Sequence, residues 1–331
     1  MRNFALLADV DRQELFRATS QRMRVHEAII EKDFWVCWVL NALFTDEQWK
    51  DQLVFKGGTS LSKAHGIIER FSEDIDLVLD AHALGIDLKE GSRPQSTASR
   101  NRFCKAVNEK TARFLESEMK PSLASLFLRR APGAKFHLET VGQELRVGYP
   151  RAFAMDYVQP VIRLEVGPLA GWSPNEPRRI RSYAAMEYPA LFSESETIVP
   201  TITAERTFWE KATILHQEAH RDVSKPCPSR YSRHYYDLHR LYRSSVKAKA
   251  LDELKQLHAV AEFKSCFYHC AWAKYEEAIP GSLLLLPNPA HLPELRADYA
   301  GMRSMLFGTV PDFDTILADL AALEAEIHAL A

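Results

Sequence analysis

The sequence predicts a protein of the α/β class, more closely α+β, in which a mixed sheet follows N-terminal helices and precedes a helical C-terminal half. Three observations lead to this prediction. The chain reads as strand, helix and strand over residues 52–80, as short alternating stretches over residues 135–168, and as helices after Pro200. These patterns divide the chain into a first domain over residues 1–200 and a helical second domain over residues 201–331.

The individual elements follow from local patterns of apolar residues and turn formers. Helical periodicity predicts two helices within residues 10–45 and single helices over residues 99–118, 203–220, 230–245, 248–276 and 312–330. Alternation of apolar and polar residues predicts antiparallel strands within residues 135–168 that extend the sheet. A loop is expected at residues 81–97, and an irregular excursion at residues 171–200, where proline and charged residues are frequent.

Length and composition indicate an ordinary globular protein. The 331 residues are 46% hydrophobic and 26% charged, which is enough to build a substantial core. A formal net charge of −2 gives no overall attraction to nucleic acid, so an RNA substrate would need a local basic patch. Five cysteines form no disulfide framework, and no apolar run has the length of a bilayer span. With no signal-peptide pattern at the N-terminus, we expect a cytoplasmic protein without membrane association.

Two aspartates on a predicted strand carry the strongest functional signal. Asp74 and Asp76 are two residues apart, so they share one face of the strand, while Ile75 and Leu77 face the core. Two carboxylates on one rigid edge suit a pair of divalent cations of the kind used in phosphoryl transfer. Upstream, the apolar residues 53–55 lead into Gly57-Gly58, where backbone N–H groups can approach a triphosphate closely. The combination predicts nucleotidyl transfer.

The same residues carry a family resemblance. The segments Lys56-Gly-Gly-Thr-Ser-Leu and Arg70-Phe-Ser-Glu-Asp-Ile-Asp, with Ile30-Glu-Lys-Asp-Phe-Trp-Val upstream, resemble the AbiEii-type toxin nucleotidyltransferases of bacterial toxin–antitoxin and phage-defence systems. The likeness extends over residues 25–80 and 200–242. It implies a nucleotidyltransferase fold, Mg²⁺ or Mn²⁺ as cofactor, an NTP as substrate, a tRNA 3′ end as acceptor and a separate antitoxin as inhibitor. It also implies that the helical C-terminal domain completes the active site.

A third metal-binding carboxylate is expected from a strand beside Asp74 and Asp76. Glu165 is the preferred candidate, because it alternates with Ile162, Leu164 and Val166 and so lies on the polar face of its strand. The family pattern has an acidic residue at this position, although Asp is more usual there. Asp156 is the competing candidate, and a surface edge that pairs Arg163 with Glu165 is the non-catalytic alternative.

The C-terminal half adds two candidates. Lys211 falls within or beside the apolar stripe of a helix capped by Thr203, where a lysine needs an anionic partner such as a triphosphate or a carboxylate. Residues 205–211 resemble a helical family motif with a Glu-Lys pair. Residues 233–241 resemble the family's Tyr-Asp-Leu helix, which gives Asp237 the role of holding Lys211 or orienting the nucleotide. The alternative is a surface acid paired with nearby arginines.

The remaining candidates are contacts to nucleotide or RNA. For the nucleotide they are Gly57, Gly58, Thr59, Ser60, Lys63, Arg70, Ser72 and Lys211. For RNA phosphates they are the arginine clusters at residues 129–130, 178–181 and 230–233. Two metal-like patterns, His216 with His220 and Cys266 with Cys270 beside His269, lack the context of a zinc site. Other readings stay open: transfer of a nucleotide or phosphate to a protein, or a catalytically idle module that binds RNA or a partner.

Overall fold

The computed structural model describes residues 2–88, 96–155, 158–268 and 270–331. The chain forms two compact units that are each assembled from separate segments. The first unit consists of Met1–His65, Phe71–Ser92 and Cys104–Ile202. The second consists of Gly66–Arg70, Arg93–Phe103 and Thr203–Ala331.

Within the described residues, the first unit contains one seven-stranded sheet. The strands are β1 (Leu53–Lys56), β2 (Ile75–Leu79), β3 (His137–Val141), β4 (Glu144–Gly148), β5 (Val161–Gly167), β6 (Asn175–Ile180) and β7 (Thr197–Ile202). Their order is β3-β4-β5-β2-β1-β7-β6. The pairs β1–β7 and β2–β5 are parallel and the others are antiparallel, so the predicted mixed sheet is confirmed.

The helices before residue 203 belong to the first unit, with one exception. They are α1 (Arg2–Ala5), α2 (Asp9–Met23), α3 (Glu27–Phe44), α4 (Gly57–Lys63), α5 (Thr97–Phe114), α6 (Lys120–Arg130) and α7 (Tyr183–Glu187). The beginning of α5, up to Phe103, belongs to the second unit. The two helices predicted within residues 10–45 are α2 and α3. Helix α3 is buried from Ala28 to Phe44 and packs on both β5 and β7, which explains why most of its residues are apolar. A π-helical turn, Leu115–Met119, joins α5 to α6.

The prediction of an irregular excursion over residues 171–200 was wrong. This segment contains β6, α7 and most of β7. Strand β6 lies at the edge of the sheet and is mostly exposed, so its polar sequence and Pro177 are compatible with pairing on one side only. An edge strand without an apolar face gives little periodic signal, which is why the sequence pattern missed it.

The second unit is helical, as predicted. It contains α8 (Ala204–Ala219), α9 (Ser232–Tyr242), α10 (Val246–Asp252), α11 (Lys255–Phe267), α12 (Leu292–Gly301) and α13 (Phe313–His328). The prediction of a single helix over residues 248–276 was wrong. The helical structure is interrupted between α10 and α11, and α11 ends at Phe267. Helix α12 was not predicted. Of the helices described, none combines the length and the hydrophobicity that crossing a membrane requires.

Candidate active site

A glycine turn joins β1 to α4 in the first unit. Gly57 has a φ of +79°, a backbone conformation that L-residues with side chains rarely adopt. A Cβ at this position would lie 2.5 Å from Cγ of Asp76 and closer still to its Oδ2. Gly57 is therefore required twice over, by the backbone angle and by the carboxylate that fills the space where a side chain would be.

Two hydroxyl groups stabilise this turn. The Thr59 hydroxyl donates a hydrogen bond to the carbonyl oxygen of Asp74, and the Ser60 hydroxyl donates to the carbonyl oxygen of Gly57 at 2.8 Å. Both side chains are fully buried. The described contacts of Thr59 and Ser60 thus fix the start of α4 against the strand that carries the aspartates, and their predicted contacts with a nucleotide stay predictions.

The aspartate pair occupies the start of β2. Asp74 immediately precedes the strand and Asp76 is its second residue, and both side chains are half-buried. Between and after them, Ile75 and Leu77 are buried in the core. The alternation predicted from the sequence is therefore present, and it places the two carboxylates on the polar face.

The sheet register aligns four charged residues across four strands. Asp76 pairs with Lys56 on β1 and with Glu165 on β5, and Glu165 pairs with Glu144 on β4. Paired residues on neighbouring strands project from the same face, and adjacent strands are about 4.8 Å apart. One face of the sheet thus carries the row Lys56, Asp76, Glu165, Glu144, with three carboxylates side by side.

The electrostatics of this carboxylate row are unfavourable without a cation. The pKa of Glu165 is raised to about 7, first by the loss of hydration among its neighbours and then by the negative charges of Asp76 and Asp74. The Glu165 side chain is itself accessible to solvent, so we give the repulsion between carboxylates the greater weight. A cation bound between these groups would relieve that repulsion.

Arg163 supplies one such positive charge to Asp74. Its guanidinium donates two hydrogen bonds to the Asp74 carboxylate, one of them from Nε to Oδ1 at 2.8 Å. The pairing differs from the surface edge of Arg163 with Glu165 that the sequence offered as the alternative reading. Since the guanidinium covers both oxygens of Asp74, a metal ion that uses this carboxylate must share it with Arg163 or displace Arg163 from it.

The donor set fits a hard divalent cation. Asp74, Asp76 and Glu165 offer oxygen atoms alone, the ligands that Mg²⁺ and Mn²⁺ prefer. The raised pKa of Glu165 fits the same assignment, because crowded carboxylates favour a positive partner. The competing candidate for the third carboxylate, Asp156, lies outside the residues that the structure describes.

Three consecutive charged residues of α3 form buried contacts with segments next to the site. Glu31 accepts hydrogen bonds from the backbone N–H groups of residues 152 and 153, and Lys32 forms a 2.7 Å ion pair with Glu73, next to Asp74. Asp33 forms a 2.6 Å ion pair with Lys63 at the end of α4. All three side chains are buried, so each is matched with a partner as burial requires.

These contacts bear on the prediction for Lys63. Its ammonium group is buried between Asp33 and the ring of Tyr183, 3.7 Å from the ring centroid. That environment satisfies the charge within the core of the first unit. A role for Lys63 in nucleotide binding stays a prediction, and we leave this residue out of the proposed site.

The second unit contains a separate cluster of charged residues around Asp237. Asp237 is fully buried and accepts hydrogen bonds from Arg70 Nε at 2.6 Å and Arg70 Nη2 at 2.8 Å. The Lys211 ammonium lies 2.8 Å from Asp237 Oδ2 and 3.1 Å from Nδ1 of His234. A contact between Asp237 and Lys211 was one of the expectations from the sequence, and the structure adds Arg70 to that pair.

Charge balance explains the state of this cluster. Burial alone would raise the pKa of Asp237, but the adjacent Arg70 and Lys211 outweigh burial and hold that pKa well below its usual range. Asp237 is therefore an anion that binds two cations, and Lys211 is one of them. Holding Lys211 in place was one of the two roles offered for Asp237, and the described contact has that geometry. Its part in catalysis stays a prediction.

Two further predicted contacts, Ser72 and the arginine cluster at residues 178–181, differ in their surroundings. Ser72 is half-buried and alternates with buried Phe71 and Glu73, in phase with Asp74. In the arginine cluster at residues 178–181, Arg178 pairs with Glu176, and Arg179 and Arg181 both pair with Glu196. This cluster is thus compensated by nearby carboxylates, which weakens its attraction for RNA phosphates.

The two rejected metal patterns have different outcomes. His216 Nε2 contacts the carbonyl oxygen of Lys274 at 3.0 Å, and its Nδ1 accepts a hydrogen bond from the backbone of Leu284 at 3.0 Å. Both ring nitrogens are used, in agreement with the rejection. His269, part of the second pattern, lies outside the described residues, as do Gly91, Ser92 and Pro94 of the predicted loop.

Three charged residues were not identified from the sequence: two lie on the carboxylate face of the sheet, and one lies on α3. Lys56 and Glu144 were not singled out, because only the strand register shows that they flank Asp76 and Glu165. Lys32 was noted within a motif but not as the partner of Glu73. The available signal was the run of three charges in an otherwise apolar helix, since charges on a buried helix need partners.

Comparison with protein families agrees with the motifs. A family model with the description "Nucleotidyl transferase AbiEii toxin, Type IV TA system" matches residues 38–319. The chain is similar in structure to MenT4, a nucleotidyltransferase toxin from Mycobacterium tuberculosis H37Rv, with 17% identity, a TM-score of 0.45 and coverage of 100% of this chain and 97% of that one. It is also similar to JHP933 from Helicobacter pylori, with 14% identity, a TM-score of 0.44 and coverage of 92% and 94%. A search of curated proteins gave no match.

Proposed function

Because this chain belongs to the family of AbiEii nucleotidyl transferase toxins, we propose that it uses a divalent metal to move a nucleoside monophosphate from an NTP to an RNA acceptor. The acceptor that the family resemblance favours is the 3′ end of a tRNA. Modification there would block translation, and a cognate antitoxin protein would restrain the enzyme. Mg²⁺ is the expected metal, and Mn²⁺ has the same preference for oxygen ligands.

One observation carries the proposal: the register that places Asp76 beside Glu165, with Asp74 on the same polar face. Neighbouring carboxylates on one face repel each other, and the pKa of Glu165 is raised first by burial and then by the charges of Asp76 and Asp74. A protein that only needed a stable sheet would gain by replacing one of them. Their presence together on one face is accounted for if they bind positive charge that is essential to the activity.

Each residue of the first unit has a defined task in this proposal. Asp74, Asp76 and Glu165 would hold the metal ions. When bound, divalent cations would neutralise charge on the triphosphate and promote loss of the proton from the attacking hydroxyl. The turn at Gly57 and Gly58 would let the triphosphate approach the backbone closely. Lys56, on the same face as Asp76, would add a positive charge for the phosphates.

The tasks of the second-unit residues rest on the family resemblance. Lys211 would bind the triphosphate, and Asp237 would keep the Lys211 ammonium charged and oriented through their 2.8 Å ion pair. Arg70 completes the charge balance of Asp237, and its direct contact with nucleotide stays a prediction. Ser72 remains a candidate contact because it alternates in phase with Asp74.

The proposed reaction conserves atoms and charge in one displacement. The acceptor hydroxyl oxygen forms a bond to the α-phosphorus of the NTP while the bond from that phosphorus to the β-phosphate oxygen breaks. The hydroxyl proton passes to solvent, and pyrophosphate leaves opposite the incoming oxygen. Positioning of the hydroxyl in line with the leaving group is the main contribution that the rigid sheet edge makes.

The test uses two positions of a radioactive label. Purified protein is incubated with total tRNA, Mg²⁺ and each NTP labelled at either the α- or the γ-phosphate. Label from the α-position in tRNA, with no transfer from the γ-position, is the expected result. Transfer of α-label to protein would show that the acceptor is a protein and not tRNA. Transfer of γ-label would identify a phosphotransferase. Absence of transfer, with no stabilisation by NTP and Mg²⁺, would indicate an idle binding module.

A further inference from the structure

A group of three metal-ligating side chains lies in the second unit, among residues to which the proposed reaction gives no task. Cys227, His291 and Glu294 each offer a ligand atom, and these atoms all lie within 4.8 Å of one another. The group combines one sulfur, one imidazole nitrogen and one carboxylate oxygen. That mixture differs from the oxygen-only set around Asp76, and it is the set of donors that zinc accepts.

The fold builds this group from two segments. His291 immediately precedes α12, and Glu294 lies in the first turn of that helix, so the two are three positions apart along one face. Cys227 lies between two prolines in the loop of residues 221–231, which joins α8 to α9. The backbone N–H of Cys227 donates a 2.8 Å hydrogen bond to Glu294, which sets the loop against the helix.

His291 supplies a second and independent observation. Only 3% of its surface is exposed, and its Nε2 atom is buried without a hydrogen-bond partner. Buried ring nitrogens nearly always have a partner, because an unsatisfied one loses its hydration without compensation. A metal ion is a common partner for a neutral imidazole nitrogen.

Cys227 and Glu294 would both bind the cation as anions, so a divalent ion between them would be shared by a thiolate and a carboxylate. Binding would release the thiol proton to solvent as the sulfur–metal bond forms.

Anchoring of the loop does not by itself explain these three side chains. Asp298, one turn further along α12, already accepts hydrogen bonds from the backbone N–H groups of Arg230 and Ser232 and from the Ser232 hydroxyl. These contacts fasten the loop to the helix at the start of α9. The hydrogen bond from Cys227 to Glu294 adds to that anchoring, but it leaves the buried Nε2 of His291 unexplained.

We propose that Cys227, His291 and Glu294 bind a zinc ion that joins the loop of residues 221–231 to the start of α12. A water molecule would complete the tetrahedral coordination that zinc adopts with three protein ligands. The site is separate in its chemistry from the carboxylate row, since its thiolate selects a softer metal than Mg²⁺.

The first measurement is the metal content of protein purified without chelator. We expect about one zinc ion per chain, retained by Cys270→Ser and lost in Cys227→Ser and His291→Ala. Cys270 is the matched control, because it is a partly exposed cysteine outside the group. The second measurement titrates Co²⁺ into demetallated wild-type protein, where a thiolate-to-cobalt charge-transfer band and a rise in melting temperature are expected. This titration needs no variant and so does not depend on how the variants fold.

Two outcomes would overturn the proposal. The first is wild-type protein that gives no charge-transfer band and no change in melting temperature with Co²⁺ or Zn²⁺. The second is Cys227→Ser protein that retains as much zinc as Cys270→Ser. Neither outcome bears on nucleotide transfer, which is measured separately.

Discussion

Gly57 and Asp76 occupy one space: the Asp76 carboxylate fills the position that a Gly57 side chain would take. The relationship couples the glycine turn to the aspartate strand and explains why their sequence motifs occur together. A residue with a side chain at position 57 would displace the carboxylate that the proposed chemistry requires.

Gly57→Ala should therefore destabilise the protein more than its backbone angle alone predicts. Gly85→Ala is the matched control, because Gly85 also has a positive φ, of +62°, but has open space where a Cβ would be built. The control should lose about 1 kcal/mol from backbone strain. Gly57→Ala should lose about 1–3 kcal/mol more through overpacking against Asp76. Urea unfolding of both variants measures the difference, and equal losses would contradict the coupling.

Glu165→Gln should change the dependence of stability on pH. The pKa of Glu165 is about 7 when folded and near 4.5 when unfolded, so the stability present below pH 4.5 falls as pH rises toward 7. At pH 8 without metal, the variant should melt at a higher temperature than the wild type, and the gap should close near pH 4.5. Added Mg²⁺ should stabilise the wild type more than the variant. A variant less stable than wild type at pH 8 in EDTA would show that the carboxylates do not repel each other.

Arg163→Gln should strengthen metal binding, because it frees Asp74 from the guanidinium. We expect affinity for Mn²⁺ to rise about three- to tenfold from the loss of one nearby positive charge. Arg146→Gln is the control, since Arg146 pairs with Glu144 on its own strand, β4, and has no described contact with Asp74. Calorimetric titration compares the three proteins. Weaker binding by Arg163→Gln would instead show that Arg163 orients Asp74 for the metal.

Lys32→Met should be strongly destabilising, because it removes the buried ammonium group that pairs with the buried carboxylate of Glu73. Removal of one member of a buried ion pair costs about 3–5 kcal/mol. The double variant Lys32→Met with Glu73→Leu should recover much of that stability, since two apolar groups replace the pair. Chemical unfolding of the single and double variants measures the coupling free energy between Lys32 and Glu73. If the double variant is no more stable than the single one, the pair does not act as a unit.

The sequence was informative where a local period decided the structure. Alternation around Ile75 and Leu77 identified β2 and its polar face, and the glycine pair marked the turn before α4. The sequence was uninformative where the position of a residue depends on pairing between segments that are far apart in the chain. The register that brings Glu144 beside Glu165, and the approach of Cys227 to His291, depend on how distant segments meet. Strand β6 escaped detection because an exposed edge has no apolar period.

The central claim is that the carboxylate face of the sheet carries out metal-dependent nucleotidyl transfer. The most direct measurement compares transfer of α-labelled NTP to tRNA by the wild type, by Asp76→Asn and by Asp80→Asn. Asp80 follows the same strand, and its carboxylate accepts a hydrogen bond from the backbone N–H of His82, so its variant is the matched control. The account predicts transfer by the wild type and Asp80→Asn in Mg²⁺, and none by Asp76→Asn or in EDTA. Transfer by Asp76→Asn at the wild-type rate would contradict it.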